Sequence, residues 1–325
     1  MIRIFAHADY DFIGFRYKAI LMTILVFLVG VAALIGFGID YSIEFNGGTL
    51  IGVKTDTPVD VVALRTGLEA VGIKGPEITP FRGENEFLVR APTAVQGASA
   101  DNTSATTKAV SVALDQVIGV GKYTIGQTGA VGPKVAADLK RQAFLAIFLS
   151  FFAVLAYLAW RFEWRFGLAA VLATAHDIVL TICFIAAVRI EVSLVVVAAV
   201  LSMVGYSLND TIIIFDRVRE NLRKSRRDQL VPVLNRSINE TLPRSVLTHT
   251  TTLMTLGALA VFGGPIIRPF ALVMFFGVFT GTFSSIFIAA PALLIIEHKW
   301  PGMEGRGVKV GVKAGAAVRS KVRPA

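Results

Sequence analysis

Three charged residues stand where the sequence is otherwise apolar, and they frame the chemistry open to this chain. Asp177 and Asp210 interrupt long uncharged runs, and Arg244 opens another. A charge at the middle of a membrane helix costs about 2.5–3.5 kcal/mol on insertion scales, so each is expected to meet a partner or a watery route. Near Asp210, the residues Ser202, Tyr206 and Asn209 recur at helical spacing, and Thr248, Thr251 and Thr255 follow Arg244 in the same way. Two such stripes face to face form a polar seam able to hold water and relay protons. In this reading Asp210 carries the proton, Arg244 tunes it, and Asp177 is a second relay point. The threonines by themselves read more plainly as hydroxyls that bond backbone carbonyls or hold helices together. His176 and His249 are read as packing or hydrogen-bonding residues, and Cys183 as apolar filler.

Other chemistries lack their residues. The nearest approach to a phosphate loop is Gly119-Val120-Gly121-Lys122-Tyr123, but Gln116 stands where its first glycine belongs and Tyr123 replaces Ser or Thr. One cysteine and scattered histidines offer no zinc spacing. No catalytic residue, cofactor or metal is therefore expected, and the chain is not read as an enzyme. The net charge of +9 comes from Lys and Arg gathered between apolar runs, with no aromatic-interleaved groove, which argues against nucleic acid as a partner.

The elements that must hold these residues are membrane helices. The 325 residues are 54% hydrophobic and 17% charged, with a mean hydropathy of +0.66. Soluble domains carry about 25% charged residues. Six stretches approach or exceed the ~20 apolar residues that cross a bilayer: 18–39, 141–160, 166–188, 192–215, 244–264 and 268–296. The first is too long, and lacks the cleavage site, for a signal peptide. Lys and Arg concentrate in segment 1–17, between the second and third stretches, in a basic loop 216–243 and in a basic tail 297–325. The positive-inside rule then places both termini in the cytoplasm.

Residues 40–140 fall outside the membrane and read as a small domain. Strands are expected at 48–54, 78–82, 86–91 and 122–128, with helices at 58–71 and 106–118 and a turn at Gly83-Glu84-Asn85. That order, βαββαβ, predicts an α+β ferredoxin-like fold. Residues 94–104 read as a loop and the tail from Gly302 as disordered. In the last apolar stretch, Gly277, Gly281, Ser285 and Ala289 step by four, a small-residue face expected to receive a partner's helix.

Several motifs are similar to those of the SecF family, in the SecD/SecF group related to RND transporters. Gly205-Tyr206-Ser207-Leu208-Asn209-Asp210-Thr211, running on to Phe215-Asp216-Arg217 and Glu220-Asn221, resembles the family signature. So do Phe45-Asn46-Gly47-Gly48, Val131-Gly132-Pro133-Lys134, and the stretch from Ser237 through Pro243-Arg244-Ser245 to Thr252. The resemblance covers about 36–296 and implies half of an RND-like six-helix bundle in the bacterial cytoplasmic (inner) membrane. It implies SecD, the SecYEG translocon and, as a further candidate, YajC as partners, with an unfolded preprotein as substrate. It also implies use of the proton-motive force in late steps of translocation, with the family's intramembrane Asp and Arg on Asp210 and Arg244. Pro243 and His249 depart from the expected pattern. Two alternatives stay open: half of an RND-type small-molecule or lipid exporter, which usually carries two halves and two large outside domains in one chain, and a passive scaffold, which would tolerate Asp210→Asn.

Overall fold

The computed structural model describes residues 8–73, 75–80, 85–91, 102–224 and 229–300. The expected loop at 94–104 falls largely, and the tail from Gly302 wholly, outside the described residues, as do Gly83 and Glu84 of the expected turn. A long helix α1 (Arg16–Phe37) leads through a one-turn α2 (Ile43–Asn46) into a small domain of β1 (Gly48–Thr55), α3 (Val61–Ala70), β2 (Glu77–Pro80), β3 (Glu86–Ala91), α4 (Asn102–Val117) and β4 (Tyr123–Val131). Asp60 starts α3 by accepting the Val62 amide at 3.0 Å, leaving Pro58 just upstream. The sheet order is β2-β3-β1-β4 with every neighbouring pair antiparallel. Alternation along the strands turns Ile51, Val53, Phe87 and Val89 to one face, where Leu64 and Leu68 of α3 and Val110 and Leu114 of α4 cover them.

The remaining helices are α5 (Pro133–Arg161), α6 (Trp164–Val188), α7 (Leu194–Lys224), α8 (Leu230–Phe262), α9 (Gly264–Ser284) and α10 (Ala290–Lys299). A turn of π-helix, Ser285–Ala289, joins the last two into one rod. Among the described residues, six helical rods are long and apolar enough to cross a membrane: α1, α5, α6, α7, α8 and α9–α10. The segment 216–243, expected as a loop, is instead helical on both sides of 225–228. Val218 and Leu222 of α7 pack with Leu230, Val233, Leu234 and Ile238 of α8, so the helix continues past the apolar stretch, with Pro243 inside it. The chain before α1 is tied to this extension: Asn239 Oδ1 accepts the Tyr10 amide at 3.0 Å, Asn235 Oδ1 accepts the Ile13 amide at 2.9 Å, and the Ile13 side chain is fully buried.

Gly277 and Gly281 of α9 lie against Met203 and Ser207 of α7, where a Cβ at Gly281 would come within 2.8 Å of Ser207 Cβ. The small-residue face expected to receive a partner's helix is thus filled by the chain's own α7. Burial is uneven. In α6, α7 and α9–α10, 44%, 50% and 56% of the most apolar stretch is buried, against 17% in α8 and 6% in α1 and α5. Two apolar clusters fill the bundle, one around Phe166, Phe215 and Leu234 and the other around Val196, Met203 and Val273. The layer between them is polar.

The small domain rests on the loop between α6 and α7. Tyr41 bridges Val192 in parallel, and the Val192 and Ser42 amides donate to Asp40 and Val192 carbonyls at 2.8 and 2.9 Å. Arg189 donates to Asp40 at 2.8 Å, and Arg90 of β3 donates to Glu191 at 2.7 Å. Glu44 accepts the Leu194 amide at 2.6 Å, which places a carboxylate on the first turn of α7, where the helix dipole favours it. Burial pushes the Glu191 carboxyl above its ordinary range, although Arg90 pulls the other way.

Candidate functional site

Two buried aspartates organise the polar layer. Asp177, midway along α6, has no exposed surface. Its Oδ2 accepts Ser207 Oγ of α7 at 2.5 Å and Ser284 Oγ of α9 at 2.6 Å, and its Oδ1 lies 3.0 Å from His176 Nδ1. One carboxylate therefore joins three helices. Beside it the Thr211 and Ser285 hydroxyls meet at 2.8 Å, and Ser285 begins the π-turn, a departure from α geometry that is frequent at functional sites.

Asp210 follows Ser207 by three residues on α7 and is 3% exposed. Its Oδ1 accepts Ser245 Oγ of α8 at 2.5 Å, while Oδ2 has no hydrogen-bond partner. His249, one turn beyond Ser245, is also buried, and its Nδ1 is likewise unpartnered. The His249 ring packs edge-to-face on Tyr206 at 5.7 Å, and the Tyr206 hydroxyl meets Thr252 Oγ1 at 2.5 Å. The seam between α7 and α8 is thus Tyr206 and Asp210 against Ser245, His249 and Thr252.

Of the residues expected here, Asp210 and Tyr206 face the seam. Ser202 and Asn209 of α7 and Arg244, Thr248, Thr251 and Thr255 of α8 are exposed on the outside of the same two helices. Arg244 makes no ion pair or hydrogen bond to Asp210, and the Thr251 and Thr255 hydroxyls bond carbonyls one turn back on their own helix. The expected α8 stripe is one residue out of phase with the buried one, about 100° around the axis. Ser245, His249 and Thr252 have the same i, i+4, i+7 spacing as Arg244, Thr248 and Thr251, so spacing alone could not choose between them. A titratable ring at 249 was the available signal.

Chemically the two acids differ. Asp177, with three contacts shared over its two oxygens, is fixed in place across three helices. A buried carboxyl with an unpartnered oxygen has room to gain a proton or a water without breaking a bond already made. The unpartnered imidazole nitrogen of His249 marks a second polar atom of that kind on the neighbouring helix.

The family of protein export membrane proteins SecD/SecF, C-terminal, matches residues 112–299. A protein translocase subunit SecF of Gemmatimonas aurantiaca is 48% identical over 329 residues, covering 99% of this chain and 98% of the relative. Its counterpart in Magnetococcus marinus is 39% identical over 290 residues, covering 89% and 92%. Among solved structures, SecDF of Thermus thermophilus, a translocon-associated membrane protein, superposes with a TM-score of 0.78 at 34% identity. The match covers 90% of this chain and 39% of that one, so the chain spans about two fifths of the SecDF polypeptide. With its polar layer set among six long apolar helices and this likeness along nearly its whole length, the chain is a membrane protein and belongs to the SecF family of protein translocase subunits.

Proposed function

We propose that this chain is one half of an ion-coupled motor that works with SecD to promote late steps of preprotein translocation through SecYEG. The observation that carries the reading is Asp210: a buried acid with one oxygen unpartnered, at the seam between α7 and the more exposed α8. A membrane potential supplies about 2.3 kcal/mol per charge per 100 mV, enough to bias two helix arrangements that differ by little. Protonation of Asp210 weakens its hold on the Ser245 hydroxyl, and α8 is the helix that responds. Arg244 acts from the outer side of α8, where Thr248, Thr251 and Thr255 are also exposed, as Ser202 and Asn209 are on α7. A polar face of that extent on membrane helices calls for cover, and the SecD half is its proposed occupant, as the two-part length of SecDF supports.

In this reading the protein lies in the cytoplasmic membrane with both termini inside, the small domain outside, SecYEG and YajC as neighbours and no catalytic turnover of its own. The strand order and antiparallel pairing favour a ferredoxin-like reading of the outside domain. The test is preprotein export into inverted membrane vesicles at saturating ATP, with the ion gradients varied separately. Asp210→Asn is expected to abolish the gradient-dependent part while leaving protein level and ATP-driven insertion intact. Wild-type gradient-driven export in that variant would instead favour a passive scaffold.

A further inference from the structure

A cavity of about 270 Å³ lies between α5, α6 and α7, in the half of the bundle nearer the small domain. Ile147 of α5, Ile178 and Ile182 of α6 and Val200 of α7 wall it, and Lys140 stands at its mouth beside Tyr41. The gap exists because α5 barely packs on the bundle, with 6% of its apolar stretch buried. Neither Asp177 nor Asp210 lines it, so nothing about it depends on the ion-coupling reading.

The cavity is half-open, and the apolar atoms of its walls lack dispersion partners on the open side. Water is a poor filler, because a buried water needs two to four polar partners and these walls are aliphatic. At membrane depth the remaining filler is hydrocarbon. The mouth adds a charge preference. The Lys140 ammonium sits 4.3 Å from the centre of the Tyr41 ring, and no ion pair holds it among the described residues. An amphipathic occupant whose chain lies along Ile147, Ile178, Ile182 and Val200 therefore carries its polar end to Lys140, and a basic group at that depth selects a negative one. Lys140 cannot serve a soluble anion in the same way, because the space beneath it is greasy.

We propose that this cavity is a binding site for one acyl chain of an anionic phospholipid, whose phosphate pairs with Lys140 at the level of Tyr41. The lipid wedges α5 against α6 and α7 and completes the packing that the chain leaves open. Because Tyr41 is also bridged to Val192, the headgroup sits against the joint that seats the small domain.

The test uses the full-length chain in nanodiscs of equal phosphatidylglycerol and phosphatidylethanolamine, released into native mass spectrometry. The wild type is expected to retain one phosphatidylglycerol through mild activation. Lys140→Gln, a surface change that leaves the walls untouched, should lower the preference for phosphatidylglycerol by about fivefold, the worth of one basic residue at an anionic interface. Ile182→Trp, or the milder Ile182→Phe should the first not fold, should fill the cavity and release the lipid. Lys134→Gln, on the same helix but away from the cavity, should retain it. A wild type that retains no lipid, phosphatidylethanolamine alone or a bound polypeptide overturns the proposal, and so does a Lys140→Gln chain with undiminished preference or an Ile182→Phe chain with undiminished retention.

Discussion

Asp177 and Asp210 lie in one polar layer, are equally hidden from solvent and share helix α7 through Ser207 and Asp210 itself, yet their surroundings are opposites. Asp177 has a donor or a ring nitrogen at each oxygen and binds α6, α7 and α9 together. Asp210 has one serine and a bare oxygen, and its contact is with the least buried of the four inner helices. Burial of an acid in a membrane protein is therefore not by itself a sign of proton traffic. The number of hydrogen bonds already made separates an acid fixed in place from one with an oxygen to spare. Asp177 thus ties α6, α7 and α9 together, and the motion proposed above is that of α8 against them.

The sharpest way to break this contrast is to exchange the defects. Asp177→Leu leaves the Ser207 and Ser284 hydroxyls buried without their acceptor. It should destabilise the bundle by about 2–4 kcal/mol, read by thermal unfolding in detergent. Asp177→Asn keeps most of the bonding shape and should preserve gradient-driven export far better than Asp210→Asn. If a well-folded Asp177→Asn loses export as completely as Asp210→Asn, the contrast fails. At the other acid, Ser245→Ala removes the one donor seen on Asp210. Gradient-driven export should slow about tenfold, the worth of a hydrogen bond to a charged group, with protein level unchanged. A pair of threonines sharpens the phase of α8. Thr252→Val, which loses the Tyr206 contact, should cost the isolated chain about 1 kcal/mol, whereas Thr251→Val should stay within about 0.5 kcal/mol and act only when the partner half is present.

The smallest effect is expected at the seat of the small domain. Because the Glu191 carboxyl is pushed up on docking, the docked state holds its proton more firmly than the undocked state. The contribution of Glu191 to docking is then fully present below the ordinary glutamate value of about 4.3 and is lost as pH rises through the raised one. Distances between spin labels on β3 and on the α6–α7 loop should lengthen slightly across that window, and Glu191→Gln should flatten the response.

Most of the fold was legible because its signals are local. Runs of apolar residues marked the six long helices, and period-two strands with helical periods between them marked the sheet domain to within a few residues. What failed was whatever depended on phase or on distant partners. On α8 two polar stripes have the same spacing, one residue apart, and the charge of Arg244 drew attention to the exposed one. The apolar stretch at 244–264 marked only part of a helix that packing of Leu234 and Ile238 against α7 carries back to Leu230. The donors to Asp177 come from positions 30 and 107 residues away, and nothing in the local sequence at Ser284 or Ser285 announces a π-turn.

The seat of the small domain also sets an order of events during synthesis. Arg90 and Glu191 are 101 residues apart, and Glu44 and Leu194 are 150 apart. At ribosomal speeds of about 5–20 residues per second, roughly 5 to 20 s pass between completion of β3 and the emergence of its anchor. During that interval the sheet can fold but has nothing to settle on, and the three membrane segments α1, α5 and α6 must already be threaded. A nascent chain stalled before residue 189 should thus carry a folded but unseated domain, with Glu44 and Arg90 still in water, open to proteases and chaperones that the finished protein no longer meets.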